Sequence, residues 1–321
     1  MKVFVTGGAG FIGSHLVKRI LAEGHDVVVL DDFSTGLRTN LEVDTGDKIS
    51  IFDGSILDTE TIRRAGTGSD YIFHLAASVG VFNIVRSPIE SMKTNIQGTE
   101  NVLEFARLER IPVLCTSSSE VYGKNASDQL KEEDDRVLGS PSIARWSYSE
   151  AKAIDEFLAL AYFRKFSLPT RVVRLFNTVG PGQLGNYGMV IPRFVSAALE
   201  NKDIEIYGTG EQTRCFTHVL DVVDALWAIS HQPETIGEII NIGNNFEISI
   251  KNLAQKVIEL TGSNSKLVFK NYQDVYDNNF EDMQRRVPNL EKIKRLVGWE
   301  PRRNLDEIIK DVVDFEKNVS R

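Results

Sequence analysis

Three features are scarce in this 321-residue chain, and each shortage excludes a class of protein. There are only two cysteines, Cys115 and Cys215, and no Cys-x-x-Cys pair, so we expect neither a disulfide framework nor a zinc site. No apolar run is long enough to span a bilayer. The 37 Lys and Arg are outnumbered by 45 Asp and Glu, which gives a net charge of −8 and no general footprint for nucleic acid.

The composition that remains is that of an ordinary globular protein, with 42% hydrophobic and 26% charged residues. The length permits one large or two ordinary domains with ample core. An anionic ligand would need locally placed arginines. The first predicted strand begins at Lys2, which leaves no room for a signal peptide, and so few cysteines favour a reducing compartment. We therefore expect a cytoplasmic protein with neither a membrane nor a nucleic-acid partner, and no metal site.

The N-terminal segment follows a pattern of strand, glycine turn and helix. The apolar run 3–5 predicts a buried strand, and the amphipathic run 11–21 predicts a helix. Gly7 permits a sharp turn, Gly10 lets backbone approach a pyrophosphate, and Gly13 lets the helix pack close to the strand. The helix N-terminal amides would face the phosphate charge. The predicted contacts to a dinucleotide in this segment are Gly7, Gly10, Phe11, Ile12 and Gly13.

An acidic residue ends the next apolar run, 27–30, at Asp31. A carboxylate at that position accepts hydrogen bonds from the adenosine ribose and repels a 2′-phosphate, which favours NAD over NADP. A polar loop follows, and we expect it to lie beneath the adenosine. The further residues predicted to contact the cofactor are Asp32, Ser34, Thr35, Gly36, Ser55, Ile56, Leu75, Ala76 and Ala77.

Strand and helix patterns alternate through the first half of the chain, which predicts a doubly wound parallel sheet of the Rossmann type. The alternation loosens after Phe176, where a smaller C-terminal α/β lobe is expected. We assign residues 1–175 to the first domain and 176–321 mainly to the lobe, with the chain returning to the first domain around 212–242. The polar, acidic segment 124–144 is expected to be a solvated surface loop.

Tyr148 and Lys152 are four residues apart within a predicted helix over 148–163, so their side chains share one face. A phenol has a pKa of about 10, too high for a base at neutral pH. A neighbouring ammonium and the positive nicotinamide ring both favour the phenolate. The pair can then take a proton from an alcohol while NAD takes the hydride.

Nine segments together resemble one family, the extended short-chain dehydrogenases that act on nucleotide sugars with NAD as epimerases, dehydratases and decarboxylases. The resemblance covers nearly the whole chain. Two departures are Ser55 and Gly182, where the family often has aspartate and arginine. The segments are TGGAGFIGSHL, DDFSTG, HLAA, TSSSEVYG, YSEAK, RLFNTVGPGQ, IYGTGEQTRCFTHVLDVVDAL, NIGN and RRVP with the later GWEP.

The resemblance implies that Tyr148 removes the proton of a sugar C4 hydroxyl and leaves a 4-keto sugar. The pair Ser119-Glu120 resembles UDP-glucuronate decarboxylases, in which that ketone promotes loss of CO₂. A UDP-hexose or UDP-hexuronate 4-epimerase remains the alternative, and a binder without turnover is a third. Glu120 could also simply bind a loop amide at the strand end. The implied catalytic residues are Ser118, Ser119, Glu120, Tyr148, Lys152 and Arg214.

The resemblance also implies how a UDP-sugar binds to the second lobe. Asn177 would contact the diphosphate, Val190 and Ile191 would offer backbone to the uracil, and Tyr207 would lie against the base or its ribose. Arg214 and Arg286 would clamp the diphosphate, and Arg214 could also reach a sugar carboxylate. A homodimer is expected, paired through the helices near 95–107 and 149–164, with sugar-facing loops at 78–86 and 178–188.

Overall fold

The structure is a computed structural model that describes residues 1–42, 48–80, 87–185, 189–271 and 283–319. The sugar-facing loops predicted at 78–86 and 178–188 lie partly outside these residues. The strands, in chain order, are β1 (Lys2–Thr6), β2 (Asp26–Asp31), β3 (Ile49–Asp53), β4 (Tyr71–His74), β5 (Val113–Ser118), β6 (Thr170–Leu175), β7 (Thr178–Val179), β8 (Ile204–Tyr207), β9 (Thr213–Cys215), β10 (Thr217–His218), β11 (Ile239–Ile242), β12 (Glu247–Ser249) and β13 (Leu267–Lys270). The α-helices are α1 (Phe11–Ala22), α2 (Thr59–Gly66), α3 (Pro88–Glu109), α4 (Trp146–Phe166), α5 (Val190–Leu199), α6 (Val219–His231), α7 (Ile250–Thr261), α8 (Glu291–Val297) and α9 (Leu305–Val319).

Within the described residues, a seven-stranded sheet runs in the order β11-β6-β5-β4-β1-β2-β3, and every neighbouring pair is parallel. The predicted doubly wound parallel sheet is therefore confirmed. The strand order reverses between β1 and β4. In open sheets of this kind, ligands bind at the carboxyl ends of the strands where the order reverses.

Helices cover both faces of the sheet, because its strands are apolar on both sides. On one face, α1, α6 and α8 pack over β1 and β2 and enclose side chains such as Leu16, Val222 and Ile293. On the other face, α2, α3 and α4 enclose Ile62, Leu103 and Ala159. The first strand is buried from Val3 onward, as expected for a parallel strand covered on both sides.

The second lobe has its own core, formed by α5, α7 and α9 around the parallel pair β8 and β13. Two smaller pairs connect it to the main sheet: β7 with β10 in parallel, and β9 with β12 antiparallel. The chain then returns to the main sheet at β11, which pairs with β6. The sequence pattern did not predict the eight-residue helix α2, nor did it predict β13 and the two short pairs, whose strands of two to four residues carry too little periodicity.

The expectation of a solvated loop over 124–144 is wrong for Leu130 and Glu132, which are 2% and 8% exposed. The Glu132 carboxylate accepts a hydrogen bond from the Asn241 amide at 2.8 Å, and its carbonyl accepts one from Arg174 at 3.0 Å. The Leu130 amide donates to the Val287 carbonyl at 2.8 Å. These contacts hold the segment against the main sheet, since Asn241 is on β11 and Arg174 on β6.

None of the described helices is both long and apolar enough to cross a membrane. In the same described parts of the chain, no set of three His, Cys, Asp or Glu side chains is placed to hold a metal ion. Cys115 and Cys215 are both free and buried.

Candidate active site

A cleft of about 940 Å³ lies at the carboxyl ends of β1, β4 and β5 and extends to the second lobe. It is lined by all the predicted site residues except Gly36 and Ser55. Gly36 instead packs on Ala9, whose carbonyl carbon would lie 2.8 Å from a Cβ at position 36. The Ser55 hydroxyl accepts from the Leu57 amide at 3.2 Å, and the neighbouring Gly54 lines the cleft in its place.

The glycine turn allows β1, α1 and the end of β4 to approach one another closely. Gly7 has φ +73°, and a Cβ there would lie 2.6 Å from the Ala76 amide nitrogen. A Cβ at Gly13 would lie 2.1 Å from the Gly7 carbonyl oxygen. Helix α1 begins after Gly10 with no side-chain cap and no acidic residue in its first turn. Its N-terminal amides therefore suit an anionic ligand such as a pyrophosphate.

Asp31 fixes the loop beside that turn. Its carboxylate accepts from the Ala9 amide at 2.8 Å and from the Phe33 amide at 2.9 Å, and the residue is 7% exposed. Burial raises the pKa of Asp31, and the two backbone hydrogen bonds partly offset that effect. Each carboxylate oxygen has two acceptor positions, so ribose hydroxyls can still be bound. Turn, helix end and acid together fit a dinucleotide.

Tyr148 and Lys152 lie side by side on the first turns of α4, and both line the cleft. The Lys152 ammonium donates to the Thr116 carbonyl at 3.0 Å and to Asp155 at 3.1 Å. Burial alone would lower the pKa of Lys152, but the Asp155 carboxylate and Tyr148 outweigh burial and raise it. Lysine 152 is therefore protonated at neutral pH.

The net shift at Tyr148 is upward. Burial raises the pKa of the phenol, while the Lys152 charge and a hydrogen bond with Ser118 lower it and Glu120 raises it again. Lysine alone therefore does not produce a phenolate at neutral pH. This agrees with the expectation that a second positive charge, on the nicotinamide ring, is needed beside the phenol.

Helix α4 is fixed to the sheet by a buried ion pair that the sequence analysis missed. The Arg174 guanidinium donates to both oxygens of Glu156, at 2.9 and 2.8 Å, and the Ser117 hydroxyl donates to Glu156 at 2.6 Å. Since Arg174 is on β6 and Ser117 on β5, this pair sets the position of the helix against both strands. Its partners come from distant segments, which local spacing does not relate.

Glu120 lies in a short 3-10 turn over Ser119–Tyr122 that follows β5, and Ser118 accepts from its amide at 3.2 Å. Its carboxylate pairs with Arg286 and, at 3.2 Å, with Arg145. Burial alone would raise the pKa of Glu120, but the charges of Arg286, Arg145 and Arg214 lower it to about 2. The carboxylate is therefore ionised at neutral pH and holds the Arg286 and Arg145 guanidinium groups in the cleft that Tyr148 and Lys152 also line.

Hydrogen bonds connect Glu120 to two of the other predicted substrate residues, Arg286 and Asn177. Arg286, assigned to the diphosphate from sequence, lies against Glu120 and donates to the Asn177 amide oxygen at 2.6 Å. Asn177 in turn donates to the Cys215 carbonyl at 2.9 Å, and Arg214 donates to the Thr213 carbonyl at 2.7 Å.

At the far end of the cleft, Val190 and Ile191 begin α5 and Tyr207 ends β8. Two residues that the sequence analysis did not single out also line this end. The Arg193 guanidinium lies 4.2 Å from the Tyr207 ring centroid, and Gln212 donates to the Tyr207 carbonyl at 3.0 Å. Arg145 was not singled out either, because in the sequence it is only the first residue of the segment Arg-Trp-Ser-Tyr at 145–148.

The family model described as GDP-mannose 4,6 dehydratase matches residues 4–312. The chain belongs to the GDP-mannose 4,6-dehydratase family. Among curated proteins, this family member is 40% identical to the UDP-N-acetyl-alpha-D-glucosaminuronate decarboxylase of Bacillus cytotoxicus, over 99% of this chain and 98% of that protein. It is 33% identical to UDP-glucuronic acid decarboxylase 1 of Xenopus tropicalis, over 98% of this chain and 72% of that protein.

The fold of the chain is also similar to those of solved enzymes that act on nucleotide sugars. The UDP-glucose 4-epimerase of Thermotoga maritima, solved with UDP-glucose, superposes with a TM-score of 0.90 at 29% identity, with both chains fully covered. A dTDP-glucose 4,6-dehydratase of Streptomyces venezuelae, solved with NAD, superposes at 0.89 and 29% identity, over 100% of this chain and 98% of that one. The resemblance predicted from the motifs is confirmed.

Proposed function

We propose that this protein is an NAD-dependent decarboxylase of a UDP-hexuronate, with UDP-glucuronate converted to UDP-xylose or its 4-keto pentose. The observation that carries the proposal is that Arg286 and Arg145 both pair with the single carboxylate of Glu120, while Arg214 lines the same cleft beside Tyr148 and its charge also lowers the pKa of Glu120. Three guanidinium groups around one carboxylate leave an excess of positive charge, which suits an anionic sugar. The 40% and 33% identical relatives, both named as decarboxylases of such sugars, support it.

The cofactor would lie along the glycine turn and Asp31, with its nicotinamide end toward Tyr148 and Lys152. Bound NAD supplies a hydride acceptor and donor. The neighbours solved with NAD support this assignment. The remaining residues proposed to hold it are Gly7, Gly10, Phe11, Ile12, Gly13, Asp32, Ser34, Thr35, Ile56, Leu75, Ala76 and Ala77, with Gly36 and Ser55 supporting the loop from outside the cleft.

The residues of this chain then act on the sugar. Tyr148, as phenolate beside the Lys152 ammonium, takes the proton of the C4 hydroxyl, and Ser118 and Ser119 hold that hydroxyl in place. The resulting 4-keto hexuronate is a β-keto acid. Its C5–C6 bond breaks, CO₂ leaves, and the electron pair moves onto the C4 oxygen as an enolate that is later protonated at C5. The nearby guanidinium charges favour that enolate.

Glu120 does not supply the C5 proton in this scheme. With its pKa lowered to about 2 by Arg286, Arg145 and Arg214, it holds no proton at neutral pH. Its proposed role is to orient Arg286 and Arg145. The oriented Arg286, together with Arg214, would then meet the sugar carboxylate or the diphosphate. A water or a cleft hydroxyl would deliver the proton.

At the nucleotide end, we propose that Asn177 contacts the diphosphate, that Val190 and Ile191 offer backbone to the uracil, and that Tyr207 lies against the base. The stacking of Arg193 on Tyr207 supports a flat surface there. Residues 1–175, with the return around 212–242, would then serve mainly the cofactor, and 176–321 mainly the nucleotide sugar. A structure with UDP bound would test this division.

A 4-epimerase is the second candidate function, because the Thermotoga UDP-glucose 4-epimerase superposes over the full length. Epimerisation uses the same Tyr148 and Lys152 but returns the hydride to the opposite face of the 4-keto sugar, without breaking a carbon–carbon bond. An epimerase acting on a neutral UDP-hexose would make no use of the excess positive charge around Glu120, whereas one acting on a UDP-hexuronate would.

The deciding experiment supplies the purified protein and NAD with UDP-glucuronate and, in parallel, with its 2-acetamido analogue. Evolved CO₂ and the nucleotide-sugar products are followed by gas trapping and proton NMR, with Tyr148→Phe as the control. Release of CO₂ with a pentose product from either sugar supports decarboxylation, and the preferred sugar identifies the substrate. Formation of a C4 epimer without CO₂ would replace the proposal by the epimerase.

We further infer a homodimer that pairs through α3 and α4. These helices pack side by side, and their outer faces leave Ile89 76%, Phe157 65% and Ile154 38% exposed. Residues 154 and 157 lie on one face of α4, so they form an apolar stripe available to a second copy. Light scattering of the wild type and of Phe157→Glu tests this, since the substitution should yield monomers.

We infer a cytoplasmic location from the two free, buried cysteines, which fit a reducing compartment. Cell fractionation against a periplasmic or secreted marker would test it.

A further inference from the structure

A buried carboxylate stands directly behind the catalytic pair. Asp155 lies on α4 three residues after Lys152, is 3% exposed, and accepts from the Lys152 ammonium at 3.1 Å. The same ammonium donates to the Thr116 carbonyl at 3.0 Å. Asp155 does not line the cleft, so it reaches substrate or cofactor only through Lys152.

The groups around Asp155 leave its charge balanced mainly by that lysine. Burial raises the pKa of Asp155, and the Lys152 charge and the neighbouring Thr99 hydroxyl on α3 act against that rise. Behind Thr99, the His74 ring on β4 bridges the Thr99 and Thr6 hydroxyls at 3.0 and 2.7 Å. Burial and the Lys152 charge lower the pKa of His74 to about 3, so this histidine is neutral.

The remaining titratable neighbours of Asp155 do not compensate its charge either. Cys115, on β5, is a neutral thiol, since burial and Asp155 raise its pKa to about 12. Glu156, on the same helix, is engaged with Arg174. Tyr148, two turns before Asp155 on the same helix, is close enough to Glu120, Lys152 and Asp155 for their charges to shift its pKa.

We propose that Asp155 is a positioning residue for the reaction: its carboxylate anchors the Lys152 ammonium at the end of β5 and reduces the positive charge that Tyr148 feels. An ammonium alone would attract the phenolate strongly. The Asp155 carboxylate lies 3.1 Å from the Lys152 ammonium, so the two opposite charges largely cancel at Tyr148, while the hydrogen bond holds the ammonium in place. The enzyme thereby gains a fixed lysine and a tyrosine that becomes ionised only when the cofactor adds its own charge.

The proposal makes a prediction about pH that a purely structural carboxylate does not. A negative charge raises the pKa of both Tyr148 and Lys152, so its removal lowers both. The working state needs an ionised tyrosine and a protonated lysine. Both limbs of the bell-shaped pH profile should therefore move to lower pH in Asp155→Asn, and the lysine limb should move further than the tyrosine limb, because the ammonium contacts the carboxylate directly.

The profile of kcat/KM rests on the proposed decarboxylase function, so a second measurement needs no substrate. The pH at which the Tyr148 phenolate forms is read from ultraviolet difference spectra against Tyr148→Phe, with and without Asp155→Asn. Phenolate formation at lower pH in the Asp155 variant is expected. If this shift occurs while no CO₂ is released from any UDP-hexuronate, the proposed function fails and the role of Asp155 stands.

Matched variants complete the test. Asp155→Glu keeps the charge and Thr99→Val removes only a neutral hydroxyl, so neither should move the limbs of the profile as Asp155→Asn does. Asp155→Ser serves as the charge-removing variant if the asparagine variant does not fold. The proposal would be overturned if, after removal of the charge, both limbs of the kcat/KM profile and the phenolate titration stay at the wild-type pH. This holds even if kcat/KM itself falls.

Discussion

Replacement of Glu120 by glutamine should destabilise the folded protein by an amount that depends on pH. Its three arginine neighbours lower the pKa of Glu120 from 4.5 to about 2. At about 1.4 kcal/mol for each pH unit, that difference corresponds to about 3 kcal/mol of folding free energy. The glutamate side chain is 20% exposed, so solvent screening reduces this value only moderately.

The sign follows from which state binds the proton more tightly. The unfolded chain takes up the proton near pH 4.5, whereas the folded protein does so only near pH 2. The stabilisation is therefore complete above about pH 5, has fallen to about 2 kcal/mol at pH 3.5, and vanishes toward pH 2. A neutral glutamine resembles a protonated glutamate, so the variant should differ from wild type most at neutral pH.

Urea unfolding followed by tryptophan fluorescence at pH 7, 5 and 3.5 measures the difference. We expect Glu120→Gln to be less stable by about 3 kcal/mol at pH 7 and by about 2 kcal/mol at pH 3.5. Glu60→Gln is the matched control, because Glu60 also pairs with an arginine, Arg63, but both side chains are 60% exposed. Its effect should be too small to resolve.

Two results would refute the reasoning. The first is a Glu120→Gln protein as stable as the wild type at pH 7, which would mean that the arginines do not hold the carboxylate ionised to any useful extent. The second is a stability gap that is the same at pH 7 and pH 3.5, which would trace the loss to packing rather than to charge.

Three further predictions concern the cofactor and the base. Gly13→Ala places a Cβ 2.1 Å from the Gly7 carbonyl oxygen, so it should lower the unfolding free energy by about 1–3 kcal/mol and weaken cofactor binding. Gly10→Ala places its Cβ 3.2 Å from the same oxygen, so it should be more stable than Gly13→Ala and still bind NAD more weakly than the wild type. Asp31→Asn removes the charge that would oppose a 2′-phosphate, so calorimetric titration should show NADP gaining about tenfold or more relative to NAD. Tyr148→Phe should abolish turnover while NAD remains bound; retained activity would remove Tyr148 as the base.

Much of the cofactor half could be predicted because its information is local. The glycine turn, Asp31 and the Tyr148–Lys152 pair each depend on a spacing within one strand–turn–helix unit or one helical turn. The helix at Trp146–Phe166 lies where the pattern predicted it and is two to three residues longer at each end. Helix ends depend on caps, which periodicity does not reveal.

The sugar half could be predicted less well because its information is long-range. Glu120 meets Arg286 across 166 residues, and Glu132 meets the Asn241 amide across 109. No period or short motif connects such partners. Glu132 is therefore buried where the sequence predicted a solvated loop, and the contact of Arg286 with Glu120 is one that its predicted role at the diphosphate did not include.

By itself, the order of residues determined that this chain forms a doubly wound parallel sheet, binds a dinucleotide at its first turn and carries a tyrosine–lysine pair, since hydrophobic period, glycine and helical spacing act over a few residues. Only the tertiary structure decided what surrounds that pair. It buried the Lys152–Asp155 pair against β5 and brought Arg286 and Arg145 to Glu120. The positions of those charged groups depend on which strand ends and loops lie together at the cleft, and the packing of the whole molecule determines that arrangement.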